Sequence, residues 1–219
     1  MHNPSDNPVC ENAKNKTRPY NLLMRIIGGE YAGRRLKSFK GRDIRPTPDR
    51  VREAVFASLG ERVRGARVLD LFAGTGALGL EALSRGARET VFVETSAQAA
   101  DLIRENLNLI GKTGQARVLR SDAQAAVRGR LKGAFDLIFA DPPYRIDIKY
   151  LHGIFLTIQG NGLLEPDGVL VLEGPARREP IAPERDFMLL KRKVYGDTCM
   201  EFYELKPSEE TEGERPSEK

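Results

Sequence analysis

From Ala66 onward, short apolar runs and helical patterns take turns. Strands are expected at 67–71, 90–94, 116–120, 135–140 and 168–173, with helices near 77–85, 97–110, 122–131 and 148–159. An apolar run that returns only after a helix pairs parallel with its predecessor, because a tight turn joins antiparallel neighbours alone. The alternation therefore implies an α/β chain whose doubly wound parallel sheet carries helices on both faces. Two further β patterns, Phe187 to Val194 and Met200 to Leu205, flank TyrGlyAspThr. They are expected to close the sheet as a hairpin with at least one antiparallel strand. No fixed-period repeat interrupts this order.

Ahead of the alternating part, the run 25–27 and the alternating stretch 34–39 suggest a small basic β-hairpin. A helix should follow, capped by Thr47, with Pro48 in its first turn and one apolar face of Val51, Val55, Phe56 and Leu59; Gly60 is its expected end. The expected organisation is a disordered extension at 1–23, a basic hairpin and helix at 24–64, the alternating domain at 65–206 and a disordered acidic tail at 207–219. Charge follows these divisions. Between Arg18 and Arg64 stand twelve Lys or Arg against five Asp or Glu, whereas the tail from Pro207 carries five acids and two bases. A concentrated positive segment beside a neutral domain fits a polyanion such as nucleic acid, and it fits a solvated surface equally well.

At 219 residues and 40% apolar composition the chain can bury one substantial core. No apolar run of about 18 residues is present and the N-terminus lacks an apolar signal core, so a cytoplasmic protein is expected. Cys10, Cys199, His2 and His152 make neither a disulfide framework nor a metal-ligand spacing, and metal chemistry is not expected.

A doubly wound sheet binds ligands beyond the carboxyl ends of its strands. Three strand ends carry polar signals here. In ValLeuAspLeuPheAlaGlyThrGlyAlaLeuGly, Gly74, Gly76 and Gly79 match the GxGxxG spacing between a strand and a helix, where backbone can approach a ligand. Glu94, twenty residues after Gly74, ends the strand ValPheValGlu, where a carboxylate can accept from a ribose diol. These two features fit a dinucleotide as well as an adenosyl compound. Asp122 follows the third strand, placed either to accept from an adenine amine or to cap the next helix.

The third signal is FDLIFADPPY, Phe135 to Tyr144. Prolines 142 and 143 lack donors and keep the residues before them out of helical geometry, so the loop is stiff. Stiffness fixes the Asp141 carboxylate and the Pro142 carbonyl as two acceptors, with the Tyr144 ring nearby. A planar base with an exocyclic amine matches this set: the acceptors take both amine hydrogens and the ring stacks. Drawing on both hydrogens favours a pyramidal nitrogen, whose freed lone pair can attack a methyl group held opposite.

These motifs together resemble a class I S-adenosylmethionine-dependent methyltransferase acting on an exocyclic amine. More narrowly, MetArgIleIleGlyGly at 24–29, ArgProThrProAspArgValArgGluAlaValPhe at 45–56, AlaLeuGlyLeuGluAlaLeuSerArgGlyAla at 77–87 and TyrGlyAspThr at 195–198 resemble the RsmD family. The likeness spans about Met24 to Leu205. It implies a Rossmann-like fold with a seven-stranded sheet, and methylation of the 2-amino group of one guanine in small-subunit (16S) ribosomal RNA, free or in an assembling subunit, by a monomer. It also implies that Asp70, Phe72, Gly74 and Gly76 surround the methionine end of S-adenosylmethionine, that Glu94 holds the ribose and that Asp122 and Ala123 hold the adenine. Asp141, Pro142 and Tyr144 would grip the guanine. Thr75 stands where serine is common in the family, and ThrSer follows Glu94; neither removes a needed group. Arg45 and Arg50 flank the first helix within reach of RNA phosphate, as an alternative to a plain surface pair, and Arg34, Arg35 and Lys37 are the expected backbone contacts.

Other readings of the same loop are an adenine amino-methyltransferase for DNA or one for a protein glutamine side chain. A further reading is an inactive RNA-binding assembly factor. A nicotinamide dehydrogenase is disfavoured, because no acid/base histidine or lysine sits at a strand end.

Overall fold

A computed structural model describes residues 24–39, 48–183 and 185–207. The expectations for 1–23, for Arg45 and Thr47, and for the tail beyond Pro207 lie outside these residues. Seven strands form one sheet: β1 (Arg67–Asp70), β2 (Glu89–Glu94), β3 (Ala116–Arg120), β4 (Phe135–Ala140), β5 (Leu164–Pro175), β6 (Phe187–Tyr195) and β7 (Thr198–Leu205). Their order is β3-β2-β1-β4-β5-β7-β6. Strands β1 to β5 run parallel, while β7 is antiparallel to both its neighbours. The order reverses direction between β1 and β4, which places the topological switch at the ends of those two strands.

The helices are α1 (Asp49–Leu59), α2 (Ala77–Ser84), α3 (Ala97–Leu109), the short α4 (Ala123–Ala125), continued by a π turn over Ala126–Arg130, and α5 (Ile148–Gly160). One core cluster packs Leu69, Val91, Ile138 and Leu170 against α5 through Leu151, Ile154 and Phe155; a second packs Val68, Leu137, Phe139 and Val171 against α1 through Val55, Phe56 and Leu59, and a third joins Met24, Ile26 and Leu36 to α2, β2 and α3. Alternate residues of each central strand thus feed opposite faces, which is why those strands read as unbroken apolar runs.

Three elements differ from their expected form. Helix α1 begins at Asp49, and Pro48 takes the cap position, its carbonyl accepting from the amides of Val51 and Arg52. The single helix expected at 122–131 is one α turn that widens into the π turn, with Gly129 within it. Strand β5 starts four residues earlier than its apolar core, because Leu164 pairs with Phe135 across a register shift.

The expected N-terminal hairpin narrows to one antiparallel bridge, Arg25 to Arg35, reinforced by Ile26 N to Arg34 O at 3.0 Å and Leu36 N to Met24 O at 2.8 Å. The segment lies across α2 and α3. Glu81, fully buried on α2, accepts from the amides of Ile27 and Gly28, both at 2.8 Å, and from Arg85 Nε. Asn106 on α3 holds the Lys37 backbone from both sides. All eight residues of α2 are buried as a result, since the sheet covers one side and this segment the other.

Candidate functional site

At the carboxyl ends of β1, β2, β3 and β4 lies a cavity of about 880 Å³. Its wall includes Asp70, Phe72, Gly74, Glu94, Asp122, Ala123, Asp141, Pro142 and Tyr144. All but one of the residues expected from the sequence to hold a cofactor therefore share one chamber with those expected to hold a target amine; the exception is Gly76, which caps α2 within the same turn and is not part of the wall.

The glycine turn follows from local geometry. Gly74 and Gly76 have φ of +52° and +80°, where a Cβ is strained. A side chain on Gly74 would point into open space, so this residue leaves room in the cavity; a Cβ on Gly79 would come within 2.2 Å of the Phe92 ring. Gly79 thus allows α2 to press against β2, and the turn sits tight on the sheet. Two carboxylates fix it from below. Asp70 accepts from the Gly79 amide at 3.0 Å, and Glu94 Oε2 accepts from the Gly74 amide at 2.8 Å. Burial raises the Asp70 carboxyl, the Gly79 bond opposes this and the Glu94 charge adds to it, leaving the group pushed up to about 7.

Glu94 also accepts from Ser96 N at 2.7 Å and Thr95 Oγ1 at 3.3 Å. It bonds the turn itself, a role that its position at a strand end did not reveal. With about four acceptor sites, the carboxylate can still receive a ligand hydroxyl. Asp122 both caps α4, accepting from Ala125 N at 3.0 Å, and accepts from the Tyr150 hydroxyl. Burial would raise its carboxyl, but the Tyr150 hydroxyl and the amides of Ala125, Gln124 and Ala123 hold it below the usual carboxylate range. Tyr150, on α5, shifts upward through its own burial and through Asp122.

The proline loop is anchored differently. Pro142 is buried, Asp141 is half-buried, and the Tyr144 ring is 51% exposed at the cavity mouth. The Tyr144 hydroxyl lies 2.7 Å from Thr198 Oγ1, so the ring is tied to the start of β7. Thr198 ends the TyrGlyAspThr turn and lines the cavity. Sequence reasoning gave that turn no role in the site, although its polar residues at a strand junction were the available signal. Glu173 and Tyr150 are two more wall residues it passed over.

The basic residues separate into two groups. Lys37 pairs with Glu105 at 2.9 Å and Arg34 reaches Leu109 O at 3.4 Å, both near the end of α3. That end is roughly 18 Å along the helix from its cavity-side start. Arg35 is exposed beside Arg25, which pairs with Asp49 at 2.8 Å, and exposed Arg50 is on the same first turn of α1, next to the cavity residue Pro48. Among the described residues no group of three or more His, Cys, Asp or Glu could hold a metal ion, and no helix is long and apolar enough to cross a membrane.

The family model described as "Conserved hypothetical protein 95" matches residues 24–204. The chain belongs to that family, the RsmD family. It is 39% identical over 184 residues to YlbH of Bacillus subtilis, covering 82% of this chain and 98% of that protein. To ribosomal RNA small subunit methyltransferase D of Escherichia coli it is 33% identical over 192 residues, covering 87% and 94%. The solved structure of yhhF from Escherichia coli superposes with a TM-score of 0.73 at 35% identity, covering 83% of this chain and 97% of that one. The fold is that of class I methyltransferases, as the motifs implied.

Proposed function

We propose that this RsmD family member transfers a methyl group from S-adenosylmethionine to the exocyclic 2-amino group of a guanine in small-subunit ribosomal RNA. The observation that carries the reading is the single cavity in which the glycine turn and Glu94 stand across from the AspProProTyr loop. The name of the Escherichia coli relative supports the RNA class.

When bound, S-adenosylmethionine supplies an electrophilic methyl group on a sulfonium sulfur. The chain's residues fit such a compound. The bare Gly74 leaves room for its methionine end, Glu94 accepts from the ribose hydroxyls, and Asp122 with the Ala123 backbone meets the adenine. On the other side the Asp141 carboxylate and the Pro142 carbonyl accept the two amine hydrogens, directing the nitrogen lone pair out of the base plane and toward the methyl carbon. Once the amine has taken the methyl group that bound S-adenosylmethionine would supply, the Asp141 carboxylate would accept the surplus amine proton. Tyr144 stacks on the base, which must leave its helix or loop to reach it. Exposed Arg35 and Arg50, the latter on the turn of α1 that follows the cavity residue Pro48, are the proposed phosphate contacts; Arg34 and Lys37, engaged on α3, contribute to the general positive field.

The test is nucleoside analysis of small-subunit RNA from cells with and without the gene, together with labelled methyl transfer to small subunits, DNA and protein. Loss of one N2-methylguanine and label in the subunit alone are expected. Label in DNA or in glutamine would replace the target, and cofactor binding without transfer would make the protein an assembly factor.

A further inference from the structure

Strands β4 and β5 run parallel in the register Ala140 to Leu172, so the next residues, Asp141 and Glu173, reach the same edge of the sheet side by side. There they diverge. Asp141 opens the proline loop, whereas Glu173 stays within β5, in register with Met200 of β7. Glu173 is only 5% exposed, yet it borders the main cavity and also a smaller one of about 220 Å³ behind Pro142, Pro143 and Tyr144. An acid so buried is uncommon, and this one is held by the sheet next to the amine-gripping loop. Its carboxylate has about four acceptor sites, so an internal contact leaves capacity for a base.

The wall facing the base is therefore built of acceptors: the Asp141 and Glu173 carboxylates and the Pro142 carbonyl. The bases differ in what they offer to such a wall. Guanine presents three donors in a row on one edge, two from its 2-amino group and one from N1–H, whereas adenine and cytosine place a lone pair next to the amine. The geometry points to Glu173 as the residue that selects guanine, by accepting N1–H from the base whose amine Asp141 and Pro142 hold. This rests on the reading above that an amine-bearing base enters the proline loop. Adenine or cytosine in the same pose sets a ring lone pair against a buried carboxylate, and the mismatch leaves a polar group unpaired.

The test uses the full chain and small subunits rebuilt with an RNA segment carrying guanine or 2-aminopurine at the methylated position, mapped beforehand. 2-Aminopurine keeps the 2-amino group but has a lone pair at N1. Wild type should prefer guanine about 10- to 100-fold in kcat/KM. Glu173→Gln can donate an amide hydrogen to the N1 of 2-aminopurine, so the preference should collapse toward one while cofactor affinity by calorimetry stays the same. A variant that keeps the full preference, or that loses both substrates in equal measure, overturns the assignment. Should the variant fail to bind cofactor, the wild-type ratio decides: a value near one sinks the role of Glu173. Absence of label at guanine N2 in wild type would instead fail the underlying reading, before any variant is compared.

Discussion

The turn after β1 and the loop after β4 leave adjacent parallel strands at the same edge of the sheet, yet they are made of opposite materials. The first uses glycines at φ +52° and +80°; the second uses consecutive prolines. A glycine turn has no preferred shape of its own and is defined from outside, here by Asp70 and Glu94 beneath it and by the Ala73 amide on Val93 O at 3.0 Å. A proline loop carries its shape in the chain, with the Ile146 amide on Pro143 O at 2.9 Å and the Tyr144 to Thr198 tether among its supports. Damage should therefore spread differently. Changes under the glycine turn alter binding and stability, and changes on the proline loop alter the chemical step.

The sharpest separation is Asp141→Ala. In the proposed mechanism it removes an acceptor that acts on the amine during transfer, so methyl transfer to small subunits should fall about 10³-fold, roughly 4 kcal/mol. Cofactor affinity by calorimetry should not change. Near-normal turnover would show that the proline loop does not hold the amine, and equal loss of binding would erase the contrast between the two loops.

Asp70 gives the next largest effect, and it is one of stability. Its folded-state carboxyl is raised from 3.8 to about 7, so the native state keeps a proton that the unfolded chain has released. Stability from this group is present below about pH 4, and on the order of 3 kcal/mol of it is lost between pH 4 and pH 7. Asp70→Asn should remove that slope: relative to wild type, its Tm should rise as pH goes from 4 to 7. Parallel Tm profiles for the two proteins would mean that Asp70 titrates as an ordinary exposed acid.

How much of this the sequence disclosed depends on the distance over which each feature is determined. Strands β1 to β4 and the three polar strand ends were legible because their apolar runs, glycines and prolines act within a few residues. The bonds that define the site were not. Glu94 to Gly74, Tyr150 to Asp122 and Tyr144 to Thr198 join residues 20, 28 and 54 positions apart, and no local pattern specifies such pairs. The N-terminal segment shows the same limit. Its charge fitted a polyanion partner and a solvated surface equally, and gave no sign that Glu81 and Asn106, distant in sequence and buried, bind its backbone to α2 and α3. Arg52, counted in that charge, is 1% exposed and donates to Arg25 O.

Glu94→Gln probes the support of the glycine turn at its most exposed point. The amide can still accept from Gly74 N, but the charge-assisted bonds to Gly74 and Ser96 weaken, and in the proposed binding mode a ribose hydroxyl would meet a poorer acceptor. Cofactor affinity should drop about 10- to 30-fold, about 2 kcal/mol, with kcat at saturating cofactor nearly intact. An unchanged Kd would take Glu94 out of the binding site and leave it a purely structural brace.

The smallest expected effect is the most discriminating for the proline loop. Tyr144→Phe keeps the flat ring and removes only the hydroxyl that meets Thr198 Oγ1. If the prolines alone hold the loop, the variant should match wild type in every respect. If the tether sets the ring's orientation, KM for small subunits should rise a few-fold, about 1 kcal/mol, with kcat and cofactor Kd unchanged. Thr198→Val breaks the same bond from the other side. Because the two changes remove one shared interaction, the double variant should be no worse than either single one, and additive losses would show that Thr198 and Tyr144 act separately.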